Sequence, residues 1–359
     1  LFYEKCSFHR RSEQGNNMFR DGAISMNLIV ISNKKYPTDF RKYLMAAAEL
    51  QSAVAIHIYA WEEFVVTFQG HEICRLPGAG NEKVVYEMVR KLSNGPSIVL
   101  TGLGGRLSKL AISAKRYLSN CHFIYDIYDH FQYGAHGVDY WRWRWNDLRW
   151  RYHVDSSIVL SADLMQLYPG AYHLNNASHL TPPIQKAPID PERIVYLGSI
   201  DERVDWEWLK GVVANGIHLD IYGQVHLAKA HIEANLASLL HNNPQVKFYG
   251  RYDNNDLPEI LSQYTVGIIP YAVNSPLTHY VNPDKLYHFL NCGLEVVAPG
   301  FPQALRLSRY LHLLNNPQEW NNCVQGLCNS PKAGEWRHQD YTWERRWQEL
   351  VEIVRLETA

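Results

Sequence analysis

The feature that most limits what this chain can become is a double series of short apolar runs, each followed by a helical pattern, with proline-dense sequence between the two series. The first series reads MNLIVIS from Met26, a helical pattern from Asp39, AVAIHIY, a helix near NEKVVYEMVRKL, SIVLTG, SKLAISAKRYL and HFIYDIYD. Strands alternating with helices in this way predict βαβ units and a parallel sheet. HLTPPIQKAPIDPE then sets four prolines between Leu180 and Pro191, the composition of a boundary. Beyond it come RIVYLGS, a helix over Trp206 to Val213, IHLDIYG, LAKAHIEANLASLL, VKFYG, LPEILSQY, VGIIPY, a helix near Lys285 and LEVVAP. In the closing segment Trp343, Trp347, Leu350 and Val354 recur at helical spacing and form one apolar stripe.

The expected class is therefore α/β, with two doubly wound domains facing a cleft. Residues 1–25, polar and unperiodic, read as an extension or remnant outside the fold. An N-terminal domain spans 26–180, a linker 181–192, a C-terminal domain 193–335 and a last helix 336–359. A chain of 359 residues exceeds what one hydrophobic core commonly serves, which agrees with two domains.

Composition narrows the partners. Lys and Arg total 35 against 36 Asp and Glu, a net charge of −1, so no basic excess points to nucleic acid. No apolar run is long enough to span a bilayer, and LFYEKCSFHRRSEQ lacks the apolar core of a signal peptide. Six Cys without a CxxC read as reduced, mostly buried thiols of a cytoplasmic protein. Metal-ligand spacings are equally missing: there is no HExxH, no paired Cys and no DxD, so metal-independent chemistry without a cofactor is expected. Two α/β domains invite a ligand between the carboxyl ends of their sheets, where helix N-termini attract anions, and nucleotide or phosphate binding follows.

The run VGIIPYAVNSPLTHYVNPDKLYHFLNCGLEVVAP, Val266 to Pro299, resembles the donor-site signature of bacterial group 1 glycosyltransferases of the GT-B fold. RIVYLGSIDERVDW and NPQVKFYGRYDNNDLPEIL resemble flanking pieces of their donor domain. FIYDIYDHF resembles an N-domain strand end near the acceptor cleft, and YTWERRW the C-terminal helix that crosses back to the N-lobe. Most of Met26 to Arg355 is covered, best in the donor half. The resemblance implies two Rossmann-like lobes, a nucleotide diphosphate sugar donor, most simply a UDP-sugar, and a glycan or lipid-linked glycan acceptor in surface polysaccharide synthesis.

The donor signature also has its own physical logic. Pro283 suits the first helical position, which puts Lys285 in the first turn with Asn282 just before it and His288 on the same face. A Lys joined to a helix N-terminus is what a departing diphosphate requires, because its charge grows in the transition state. Many retaining members carry a Glu at each end of a seven-residue spacer, where this chain has Tyr280 and His288. The resemblance is therefore closer to the xanthan-type glucuronosyltransferase branch, which implies inversion with an Asp base. Asp129 is the candidate base and His130 its rival, both beyond the apolar strand CHFIY, with Asp126 orienting the loop on the acceptor side. Gly198 and Ser199 let backbone approach a phosphate. Arg203 contacts diphosphate or sugar, Gly223 closes the next strand, Arg251 borders the nucleobase, and Tyr271 with Asn274 touches the donor.

Two further signals stay open. SIVLTGLGGRLSKL sets Gly102, Gly104 and Gly105 between a strand and a helix, a partial GxGxxG with Asp126 about twenty residues on. It lines the acceptor side in the glycosyltransferase reading and a nicotinamide in an oxidoreductase reading. A catalytically inactive sugar-nucleotide binder is a third possibility, since the Glu pair is missing. VDYWRWRWNDLRWRYHV, as a helix, aligns Trp141, Trp145, Leu148 and Tyr152 with Arg142, Arg144, Arg149 and Arg151 beside them. This is either an aromatic core helix or a surface for anionic lipid at a membrane.

Overall fold

The computed structural model describes residues 26–358 apart from 79, 103–104, 131–136, 182–187 and 226–228. The expectations for residues 1–25, for most of the linker and for Gly104 lie outside the described residues. The N-terminal lobe contains β1 (Asn27–Ser32), α1 (Lys42–Leu50), β2 (Ala55–Ala60), β3 (Glu63–Phe68), β4 (His71–Pro77), α2 (Glu82–Ser93), β5 (Ser97–Thr101), α3 (Gly105–Ala114), β6 (Cys121–Ile127), α4 (Gly137–His153), β7 (Ser156–Val159) and β8 (Tyr172–His173). The C-terminal lobe follows with β9 (Arg193–Leu197), α5 (Trp206–Val213), β10 (His218–Tyr222), α6 (Ala230–Asn242), β11 (Val246–Gly250), α7 (Leu257–Leu261) and β12 (Val266–Ile268). It closes with α8 (Pro276–His279), α9 (Asp284–Asn291), β13 (Glu295–Ala298), α10 (Pro302–Arg306), β14 (His312–Leu313), α11 (Trp320–Asn329) and α12 (Trp343–Thr358).

Each lobe is wound about one sheet. The first has strand order β4-β3-β2-β1-β5-β6-β7-β8 and the second β11-β10-β9-β12-β13-β14. Central strands such as NLIVIS are buried along their whole length, as parallel strands covered on both faces must be. Strand order reverses between β1 and β5 in one sheet and between β9 and β12 in the other. Loops leaving neighbouring strands at such a point diverge to opposite faces and leave a crevice at the strands' carboxyl ends.

One edge departs from the expected parallel pattern. β3 and β4 form an antiparallel hairpin on β2, turned by Gln69 and Gly70 with φ of 48° and 76°. Positive φ at both turn positions matches the twist of a two-residue hairpin, so QG after the β-branched run EFVVTF was the local signal. The cysteines also differ from expectation: Cys74, Cys121, Cys292 and Cys323 are half-buried and Cys328 is exposed. Most sit at the margins of elements rather than under them.

α12 crosses back to the first lobe. Trp343, Trp347, Leu350 and Val354 pack in one core with Leu28 and Val30 of β1, Leu44, Met45 and Ala48 of α1, and Ile98 and Leu100 of β5. The stripe read from the sequence thus packs beside α1 on the same face of the sheet and completes its cover. Among the described residues no helix is long and apolar enough to cross a membrane.

Candidate active site

The two switch points face one cleft of about 500 Å³. Its donor-side wall is built on glycine. Gly198 ends β9 with a φ of 121°, and a Cβ there would lie 2.2 Å from Lys285 Nζ. A Cβ on Gly223 would fall 1.9 Å from the Gly198 carbonyl oxygen, so the chain after β10 touches the chain after β9 only because neither carries a side chain. Lys285 Nζ occupies the hollow this leaves, 5.1 Å from the ring centroids of both Tyr196 and Tyr271.

Lys285 is buried, and burial opposes its charge. Tyr196, Tyr271 and Asp284 oppose that penalty more strongly, and the ammonium is held above the ordinary lysine range. The faces of the two rings add a cation–π attraction of their own. Helix α9 begins one residue later than expected: Pro283 is the N-cap, and Asp284, not Pro283, opens the helix. The difference matters because Asp284 Oδ1 accepts from Lys285 N–H at 2.8 Å. The positive end of α9 is therefore partly engaged by its own carboxylate, and Lys285 Nζ, rather than the helix dipole, is the principal positive charge there. Asn282 fixes this corner against the first lobe, donating through Nδ2 to the Leu160 carbonyl at 2.7 Å.

Arg203 follows in the loop after β9, where Asp201 grips it with Nε to Oδ1 at 2.9 Å and Nη2 to Oδ2 at 2.5 Å. The guanidinium also lies 5.4 Å from the Tyr271 ring. Among the described residues, Lys34, Arg203, Arg251 and Lys285 line the cleft against two carboxylates, Asp129 and Asp284. In a protein with a net charge of −1, positive charge is concentrated in this crevice.

Asp129 stands on the opposite wall, in the loop after β6. Solvent reaches it across the cleft, yet the protein packed around it raises its pKa above the usual aspartate value, against the pull of Arg203 and Lys34. A carboxyl with elevated basicity, open on one side, is suited to receive a proton. Asp126 corrects the sequence reading. The strand runs to Ile127, so Asp126 lies inside β6, buried, with Arg41 Nε at 2.7 Å from its Oδ2. Arg41 reaches on to Asp39 at 3.3 Å, and Asp39 to His57 Nε2 at 3.2 Å. Asp126 belongs to this buried chain and does not line the cleft.

His130, proposed as rival base, is likewise outside the lining: its ring stacks on Tyr280 at 4.9 Å. Gly105 opens α3, and Asn274 lies on an exposed turn outside the cleft lining. Gly102 faces Tyr128 and Arg41, with which a Cβ would be 3.1 and 3.3 Å apart. Asp129, Gly198, Ser199, Arg203, Gly223, Arg251, Tyr271, Asn282, Lys285 and His288 all line the one cleft.

His288 is turned toward it with Nδ1 at 2.8 Å from Ser178 Oγ, which also accepts from Leu180 N–H at 3.0 Å. The Ser178 hydroxyl is thereby free to donate to Nδ1, which leaves Nε2 as the protonated nitrogen. Burial lowers the His288 pKa and keeps the ring neutral. Sequence reasoning passed over its neighbour His179, which stacks on Tyr43 at 4.0 Å and meets His288 edge-on at 5.3 Å. Burial, with His288 beside it, pushes the His179 pKa down to about 4. Tyr43 in turn accepts from Asn254 Nδ2 at 3.2 Å, a hydrogen bond that spans the two lobes. No spacing in the chain announces this trio, because its members come from α1, the interlobe segment and the turn before α7. Among the described residues no group of three or more His, Cys, Asp or Glu is placed to hold a metal ion.

Two Rossmann-like lobes around such a cleft, with the last helix returning to the first lobe, define the GT-B fold. No family model matches the sequence, and no curated protein does. AviGT4, a glycosyltransferase involved in avilamycin A biosynthesis, superposes with a TM-score of 0.60 at 11% identity, over 93% of this chain and 98% of that one. An α-glucosyltransferase solved with UDP and a 13-mer DNA gives 0.56 at 10% identity, over 91% and 95%. The pneumococcal O-GlcNAc transferase GtfA, solved with UDP and GlcNAc, gives 0.53 at 13%, over 83% of this chain. The chain spans 65% of the length of GtfA and 62% of that of TarM from S. aureus. These likenesses are of fold.

Proposed function

We propose that the protein is a glycosyltransferase that moves a hexose-type sugar from a nucleotide diphosphate donor, a UDP-sugar, to a hydroxyl of a glycan or lipid-linked glycan in surface polysaccharide synthesis. The observation that carries the reading is the buried Lys285 ammonium, seated against the glycine ends of β9 and β10 and faced across the cleft by Asp129. A diphosphate in that hollow meets Lys285, with Arg203 and Arg251 on the same wall.

In this reading Asp129 takes the proton of the acceptor hydroxyl as its oxygen attacks the anomeric carbon. The bond from that carbon to the diphosphate oxygen breaks, and the electron pair leaves with the diphosphate. Attack from the side opposite the leaving group inverts the anomeric centre, as in the xanthan-type branch. The growing negative charge falls beside Lys285, which does the work a divalent metal would do elsewhere, so the reaction needs no metal. A positioned donor of this kind is commonly worth about 3 kcal/mol of transition-state stabilisation. The structural neighbours solved with UDP support the donor class. The enzyme would act in the cytoplasm, as a peripheral protein where its acceptor is lipid-linked.

The test is UDP release from a panel of UDP-sugars, with and without EDTA. Turnover that survives EDTA and drops in Lys285→Ala supports the reading. Tight UDP binding with no release of UDP from any sugar would instead favour an inactive binder.

A further inference from the structure

Helix α4 is a long helix with its apolar side turned to solvent. Val138, Trp141, Trp145, Leu148 and Tyr152 recur at steps of three and four and are 76%, 67%, 69%, 48% and 87% exposed. The side chains that α4 does bury are Asp147 and Trp150. At about 100° per residue, those two lie roughly opposite the exposed stripe. Asp147 accepts from Tyr125 on β6 at 2.8 Å and Trp150 is fully buried, so the inner face is anchored and the outer face cannot turn inward. The core-helix alternative raised by the sequence is thus corrected.

The flanks of the stripe identify what covers it. In heptad terms the apolar residues occupy the a and d positions, and every e and g position after the opening Gly137 is Arg: Arg142 and Arg149 on one side, Arg144 and Arg151 on the other. Arg151 is drawn back to Asp147 at 3.7 Å; Arg142, Arg144 and Arg149 are exposed, Arg142 in a solvent-facing ion pair with Asp139 at 3.1 Å. Two copies of this helix, parallel or antiparallel, would bring Arg against Arg along both edges of the seam, which opposes pairing. Three aromatic rings and one Leu between rows of Arg instead match an interface where apolar chains lie below a layer of negative charge. Trp and Tyr prefer that depth, and Arg can hold phosphate while its methylenes rest on apolar surface.

We infer that α4 is a membrane-docking helix that lies in the surface of a bilayer rich in anionic phospholipid, with the Val138 to Tyr152 stripe embedded and Arg142, Arg144 and Arg149 on the headgroup phosphates. It follows β6 and Asp129 along the chain, on the lobe assigned to the acceptor, so docking holds that lobe at the lipid surface. The inference deepens the lipid-linked acceptor reading but stands on α4 alone.

Vesicle flotation of the full chain, without any sugar donor, tests it. Phosphatidylcholine vesicles containing phosphatidylglycerol should carry the protein and pure phosphatidylcholine vesicles should not, with binding weakening as salt is raised. Replacing Arg142, Arg144 and Arg149 together with Gln should weaken binding on the order of 100-fold, at about a factor of five per Arg. Trp141→Ser with Trp145→Ser should abolish it. All five side chains are exposed, so thermal melting of both variants should match the parent. Failure of the parent chain to float with anionic vesicles overturns the inference, as does a dimer in sedimentation equilibrium that Trp141→Ser dissociates. Failure to float while UDP-sugar turnover persists removes the docking helix alone; flotation without turnover removes the enzyme reading alone.

Discussion

Asp129 and Asp126 are three residues apart and have opposite fates, and the difference is one of strand length. β6 pairs with β7 through Asp126 and Ile127, two residues further than the apolar run CHFIY indicates. Asp126 is thereby drawn into the sheet and onto Arg41, and Asp129 is the first acidic side chain clear of it. Sequence pattern located the wall of the cleft but could not count where pairing stops, because pairing is decided by the neighbouring strand. Asp129→Asn should reduce transfer by at least 100-fold while UDP still raises the melting temperature, since general-base catalysis commonly contributes about 10²- to 10⁴-fold. The parent enzyme's kcat/KM should rise with pH through a pKa above the usual aspartate value, and that limb should be missing in the variant. His179 makes a separate prediction. Its folded pKa of about 4 lies below the ordinary 6.5, so the unfolded chain binds a proton that the native protein refuses between those values. Stability should therefore fall as pH drops from about 6.5 towards 4, and His179→Gln should flatten that slope in thermal melts.

The glycine ends of β9 and β10 and the first turn of α9 act as one device. Gly198 and Gly223 were legible because glycine closing an apolar strand has few other uses, and Lys285 because it opens a helix after Asn-Pro-Asp. The direction in which the Lys side chain turns was not legible, since it depends on Tyr196 in β9 and Tyr271 in the segment after β12. Gly198→Ala should displace the ammonium and strain a backbone already at a φ of 121°. Weaker UDP binding by at least 10-fold is expected, and Lys285→Ala in the same background should add little, because the two changes remove one interaction. Calorimetric titration of the four proteins measures this coupling; full additivity would separate the glycine from the lysine. The hairpin of β3 and β4 lay beyond the periodicity argument for another reason: an edge strand exposed on one side, as β4 is, carries little apolar signal.

Taken whole, the molecule was most readable in its alternation and least in its meeting surfaces. Two sheets and most of their helices could be inferred from apolar spacing, which is a property of each segment, while the crossing of the last helix was implied only by the resemblance of YTWERRW to the last helix of GT-B glycosyltransferases. The pairing of Tyr43 with Asn254, or of His288 with Ser178, depends on the lobes standing together, and no segment contains that information. A ligand held by both walls should stabilise the assembly by mass action: at about 100 times its dissociation constant a UDP-sugar adds roughly 2.7 kcal/mol. A thermal-shift screen across nucleotide sugars would rank donors by this effect, and Lys285→Ala should erase the ranking.

The return of α12 has a consequence for how the protein comes into being. Trp343, Trp347, Leu350 and Val354 complete a core whose remaining members come from the N-terminal lobe, from Leu28 of β1 to Ala177. A ribosome delivers those early segments first, and domains generally fold as they emerge. Here the lobe that emerges before its partner is finished after it, for part of one face of its sheet, beside α1, waits apolar and uncovered through the synthesis of the second lobe.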